Sequence, residues 1–182
     1  MQARAGGMSM SFKNALKVLE GRIERFDEVR RRSIKGVSRS KATAFDSIYE
    51  VLSKVASLIR NVSQLESSLA QSVGYTRVCG NGVMVRTKDG SAFMKFKPLR
   101  VVAYTSPSNT VRLSYGNISV EVAEDSITIS LGRFSRSLHY LDPADIENNA
   151  AVYSALLSRV IAIPDALSRT VSSCAKAVGV KL

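Results

Sequence analysis

At 182 residues, 45% of them apolar and 23% charged, the chain is long enough to bury a core and too apolar to be a disordered protein. Its formal net charge of +11 lies entirely in the first hundred residues, where 19 Lys and Arg stand against 8 Asp and Glu; residues 101–182 hold 7 of each. A proteome-wide bias would not stop at residue 100, so the asymmetry points to a polyanion met by one side of the molecule, with nucleic acid and an anionic membrane surface as the usual candidates.

Residues 1–11 read as a disordered tail, and residues 12–73 as a helical hairpin with coiled-coil character. Phe12, Leu16, Leu19, Ile23 and Phe26 fall at spacings of three and four, one stripe of a first helix. A longer stripe follows: Phe45, Ile48, Leu52, Val55, Ile59 and Val62, with Leu69 and Val73 resuming after Glu66 occupies an expected apolar position. That is a heptad seam with one charged interruption. A helix over 43–73 would be about 45 Å long at about 1.5 Å per residue, so it must find other helices, from its own chain or from a second copy. Self-association is therefore expected. The connector at residues 36–40 closes the hairpin, and Arg30, Arg31, Arg32, Lys35, Arg39 and Lys41 cluster at its tip. They are either a solvated helix end, whose cations complement the C-terminal dipole, or a phosphate-contacting patch.

Residues 74–182 read as an antiparallel sheet followed by two helices, either as their own domain or as one with the hairpin. Asp89-Gly90 is a two-residue hairpin signal. Pairing about it places Val83, Val85, Thr87, Ala92, Met94 and Phe96 on a core face, and Met84, Arg86, Lys88, Ser91, Phe93, Lys95 and Lys97 on the opposite one. A second turn at Gly116-Asn117 sets Tyr115 against Ile118, Leu113 against Val120 and Val111 against Val122. A third at Glu124-Asp125 sets Val122 against Ile127 and Val120 against Ile129. The outer face of these later strands is rich in hydroxyls and balanced in charge. Around Leu99 to Thr105 the parity is open, so Arg100 and Tyr104 point either out or in. A last strand puts Phe134, Arg136, Leu138 and Tyr140 on one side. Asp142 followed by Pro143 starts a helix expected to run to Ile161 and to end at Pro164; a final one runs over 165–178 and stops at Gly179. The fold class is α+β: helical hairpin, antiparallel meander, helical pair on the sheet.

Chemistry-bearing constellations are scarce, and no enzyme is expected. His139 is the single histidine, which excludes a multi-histidine metal cluster. Gly80-Asn81-Gly82 precedes a strand and lacks the lysine of a phosphate-binding loop, and Ser173 with Lys176 lacks the partner motifs of an SxxK enzyme. Cys79 and Cys174 lie far apart without a CxxC pair, which suggests neither a disulfide nor a zinc site, and no cofactor is implied. With no apolar signal-peptide core at the N-terminus and no run of 18 uncharged apolar residues, the expectation is a cytoplasmic protein without a membrane partner.

A sheet face bearing an aromatic ringed by cations suits single-stranded nucleic acid: a base stacks on the ring while the cations follow the backbone. The candidate residues are Phe93, Lys95, Lys97, Arg86 and Lys88, then Arg100, Tyr104 and the cluster from Arg30 to Lys41. The competing reading has Phe93 covered by the N-terminal hairpin or a second subunit, in a coiled-coil assembly protein, viral or chromosomal, that binds duplex DNA nonspecifically. The small, basic, cysteine-poor chain, its coiled-coil helices, its helix-flanked sheet and the stretch FMKFK resemble in organisation the ThermoDBP-related proteins of hyperthermophilic archaea. That resemblance implies single-stranded DNA or RNA as partner, a homo-oligomer and a thermophilic, archaeal source; the preference for Arg over Lys agrees with a hot habitat.

Overall fold

The computed structural model describes residues 11–69, 74–80, 82–87, 91–104 and 109–182. Helix α1 (Ser11–Ser33) and helix α2 (Arg39–Leu69) form the expected antiparallel hairpin. The seam residues Phe45, Ile48, Leu52, Val55, Ile59 and Val62 are all buried, and a second stripe, Val51, Leu58 and Leu65, is buried beside them. A helix buried along two stripes is a central core helix, and the chain supplies its cover from α1 and from two C-terminal helices. The seam that called for another helix is thus satisfied within one chain. Val73 and the tail at 1–10 lie outside the described residues.

Eight strands follow in one sheet, ordered as in the sequence: β1 (Gly74–Cys79), β2 (Gly82–Arg86), β3 (Ala92–Phe96), β4 (Leu99–Tyr104), β5 (Thr110–Tyr115), β6 (Ile118–Val122), β7 (Ile127–Leu131) and β8 (Phe134–Leu138). Each is antiparallel to its neighbours. The second and third hairpins have the register read from their turns: Leu113 pairs with Val120, and Val120 with Ile129. The first differs. Val83 pairs with Lys95, Met84 with Met94 and Val85 with Phe93, so three residues, not two, separate the closing pair of Thr87 and Ser91. A slip of one residue turns a whole strand over. β3 keeps the expected faces, with Ala92, Met94 and Phe96 buried, but β2 is reversed: Met84 and Arg86 face the core, and Val83 and Val85 face outward. The turn residues themselves, 88–90, lie outside the described residues.

Gly82 is fixed by this arrangement, since a Cβ there would stand 2.5 Å from the Phe96 ring. The interruption of the α2 seam also finds its reason. Glu66 is fully buried; one carboxylate oxygen accepts from the Phe12 N–H at 3.0 Å, and the other lies 3.5 Å from Arg86 Nε. One acid therefore ties the start of α1 and strand β2 to α2.

The C-terminal part forms α3 (Pro143–Asn148), α4 (Ala150–Val160) and α5 (Ala162–Ala177). Asp142 caps α3 as expected, accepting from Asp145 N–H at 3.2 Å, with Pro143 at the first helical position. Pro164 ends nothing: it occupies the first turn of α5, where a backbone N–H has no helical partner to lose. Gly179, at a φ of 77°, closes α5 with Val180 N–H bonded to Ala175 O and Gly179 N–H to Lys176 O. Ala150–Ala177 is by length and composition apolar enough to cross a membrane. Its residues Tyr153, Leu157, Val160, Leu167 and Val171 are buried in the core that joins helices and sheet. α4 and α5 pack chiefly on α2, with α4 also reaching β6 and β7, and α5 reaching β1, β4 and β5.

Contrary to the expectation of no disulfide, Cys79 at the end of β1 is bonded to Cys174 on α5, their Cα atoms 5.6 Å apart. Sequence separation concealed the pair because the chain returns to its first strand only with its last helix. The helices form one layer against one face of the sheet. Among the described residues no helix packs on the other face, the open face of the sheet.

Candidate nucleic-acid interface

The open face is built from alternate residues of β2 to β5. Phe93, half-buried, sits directly between Val85 of β2 and Val102 of β4, and Val102 is in turn opposite Arg112 of β5. In the next row Lys95 lies between Val83 and Arg100, and Arg100 faces Ser114. Arg100 places its guanidinium over the Phe93 ring, 5.7 Å from the centroid. This settles the parity left open for β4: Arg100 points outward. A pocket of about 250 Å³ lies between β3, β4 and β5, lined by Lys95, Pro98, Leu99, Arg100, Val102, Arg112, Ser114 and Gly116; Phe93 is not among its walls. Lys97 is exposed in the turn between β3 and β4, at the same end.

The electrostatics of this face are one-sided. Lys95 and Arg100 are direct cross-strand neighbours, and Arg112 lies on the adjoining strand two residues from Ser114, the partner of Arg100. Like charges directly opposite cost stability. Among the described residues no carboxylate is within ion-pair distance of these three, and Glu121, paired in register with Arg112, is the one acid on that side of the strands.

The remaining candidates are placed elsewhere. Arg86 is a correction: it is buried beneath the sheet beside Glu66, on the face opposite to Phe93, because β2 is turned over. Lys88 lies outside the described residues, and Tyr104 ends β4 as the partner of Thr110. The hairpin-tip cluster belongs to the helical layer, on the far side of the sheet from Phe93, and carboxylates of its own occupy most of it. Arg30 bonds Asp27 at 2.9 Å and Asp46 at 3.0 Å and stacks over Tyr49; Arg31 meets Asp27 at 2.6 Å; Arg32 meets Glu28; Lys41 reaches Glu147 at 3.9 Å. Burial works against the Arg30 charge, but Asp46 and Asp27 outweigh it and move its pKa upward. Lys35 and Arg39 stay exposed beside the connector. The two basic groups read from the sequence therefore do not form one surface.

Sequence reasoning missed Val83, Val85, Val102 and Arg112 as members of the open face. The signal for Arg112 was present, since the correct second-hairpin register already put it on the outer side. Arg22 is basic but structural: it is buried, donates to Asn109 O at 2.9 Å, and burial lowers its pKa. No family model, curated protein or solved structure matches this chain.

Proposed function

We propose that the open sheet face binds single-stranded nucleic acid without strong sequence preference. The observation that carries this reading is the facing pair of Lys95 and Arg100, with Arg112 nearby, held beside a half-buried phenylalanine, and none of the three cations forms an ion pair among the described residues. A fold that tolerates such repulsion keeps a seat for negative charge. Each base has a π-face for Phe93, and stacking of this kind is worth about 1–3 kcal/mol per base and is tolerant of sequence. Half-buried Val85 and Phe93, packed beside a buried Val102, give a base somewhere to lie; Lys95, Arg100 and Arg112 would follow a phosphate backbone. The face belongs to the middle of a broad sheet, and presents neither a projecting helix nor a free two-stranded ribbon, the two shapes that enter the major groove of a duplex.

The reading needs no second copy, because the chain's own helices cover α2. Fluorescence anisotropy with labelled single-stranded and duplex oligonucleotides over a salt series tests it. Three or four cations on phosphates give a slope of log affinity against log salt of about −2 to −3 for single strands. Duplex DNA competing as well as single strands, or no binding at low salt, overturns the proposal.

A further inference from the structure

The core face of the sheet ends in an apolar row that the helices do not finish covering. Tyr115 pairs with Ile118, Ile118 with Leu131, and Leu131 with Phe134, so four consecutive strands present an apolar residue at the same level. α5 begins at Ala162 and meets this row near Tyr115 and Ile118. Even there Tyr115 is 49% exposed; at the other end of the row Phe134 is 50% exposed, and of β8 only Leu138 is buried. From β6 to β8 is two strand spacings, about 10 Å, which is the width one helix occupies. A pocket of about 270 Å³ opens at the junction, lined by Tyr115, Ile118, Ile163, Ala166, Arg159 and Arg169.

The rim is basic. Arg159 and Arg169 project from α4 and α5, Arg136 stands on β8 beside Ile129, and no carboxylate lines the pocket. None of the three arginines has an ion pair among the described residues. A second copy is a poor occupant, since a two-fold interface would bring the same patch, with its three arginines and no carboxylate in the pocket lining, to both sides. We propose that this open end of the core face receives an acidic amphipathic helix from another protein, its apolar side on Leu131 and Phe134 and its carboxylates on Arg136, Arg159 and Arg169. An aromatic or leucine side chain of the partner fills the pocket beside Tyr115. Exposed aromatics flanked by arginines are the residue types that anchor such interfaces. The surface lies on the opposite side of the sheet from Phe93, so it does not depend on the nucleic-acid reading.

Selection from a displayed library of random sixteen-residue peptides against the whole protein tests the proposal. Enriched sequences are expected to carry Leu or Phe at helical spacing with Asp or Glu on the flanks. Their affinity is expected to fall about tenfold or more with Phe134→Ser, and likewise with the double reversal Arg159→Glu and Arg169→Glu. Both changes are at exposed positions, and oligonucleotide binding by each variant is expected to match the parent protein. Enriched peptides that lack acids, peptides that bind the variants equally, or no enrichment overturn the proposal. So does a dimer in sedimentation that Phe134→Ser dissolves, which assigns the row to a second copy, or binding to phosphatidylserine vesicles lost with the same change, which assigns it to a membrane.

Discussion

Glu66 and Arg86 meet beneath the sheet, carboxylate oxygen to Nε at 3.5 Å, one from the middle of a helical seam and the other from a strand read as facing outward. Removing one partner of a buried pair leaves the other charge uncompensated, at a cost of about 3–5 kcal/mol, whereas replacing both by apolar residues of similar volume is often neutral. Arg86→Met alone is therefore expected to destabilise strongly in urea denaturation. Glu66→Leu combined with Arg86→Met is expected to recover most of that loss. Two single variants near the parent's stability would show that the pair does not hold α2 to β2.

Phe93→Ala and Lys95→Ala are expected to weaken single-strand binding in different ways. Losing one stacked base removes about 1–3 kcal/mol and leaves the salt slope unchanged, while losing one phosphate contact lowers the slope by about 0.7. Anisotropy titrations at several salt concentrations separate the two. Equal slopes for both variants would remove Lys95 from the backbone path.

At the hairpin tip the expectation is the reverse. Arg31 and Arg32 already hold Asp27 and Glu28 one helical turn away, pairs of a kind worth about 0.3–0.5 kcal/mol. Arg31→Ala with Arg32→Ala is expected to leave affinity for oligonucleotides within about twofold of the parent, since each pair already satisfies its own charge. A tenfold loss would move the interface to the helical layer.

The Cys79–Cys174 bond spans a sequence separation of 95. Closing a loop of that length restrains the unfolded chain, and removing such a bond typically costs about 2–5 kcal/mol. Denaturation of the double variant Cys79→Ala with Cys174→Ala, beside the parent protein with and without dithiothreitol, measures it. Reductant is expected to shift the parent and leave the variant unmoved.

Tyr140 is buried, donates to Ala123 O and Glu124 O at 2.9 and 2.7 Å, and has its pKa pushed up to about 12, burial being the main cause. The neutral phenol is the form the fold prefers. Its contribution is full below the ordinary tyrosine pKa of about 10 and is lost as pH rises from there through about 12. Burial also pushes up the Tyr153 phenol, so absorbance at 295 nm is expected to show late tyrosine ionisation that accompanies alkaline unfolding, and Tyr140→Phe is expected to reduce that late step and to flatten the loss of stability in that window.

Where the sequence states its own turns, the fold was legible. Gly116-Asn117 and Glu124-Asp125 each occupy a two-residue loop, and every pairing read from them holds. Asp89-Gly90 carries an equally strong local signal, yet the hairpin closes at Thr87 and Ser91, one residue wider. The apolar pattern could not arbitrate, because Val83 and Val85 alternate with Met84, and either set would fill a core. The observed register brings Arg86 to Glu66, a contact between residues twenty apart on different elements that no periodicity reveals. The same error assigned Arg86 to the open face and kept Val83 and Val85 off it. Phe93, Lys95 and Lys97 survived because β3 is read from its own alternation whichever way its partner is turned. The disulfide and the cover that α4 and α5 give to α2 were out of reach for a common reason: both bring the last helices back to elements of the first half of the chain.

The sheet is an eight-strand meander, and among the described residues its helices all lie on one side. Phe93, Lys95, Arg100 and Arg112 are set on a platform whose stability is supplied from behind it. Substitutions at these four positions are expected to draw little on the packed interior. On the proposed reading, the side chains that would touch a ligand and those that hold the fold alternate along the same strands, so the first can be exchanged while the second stay as they are.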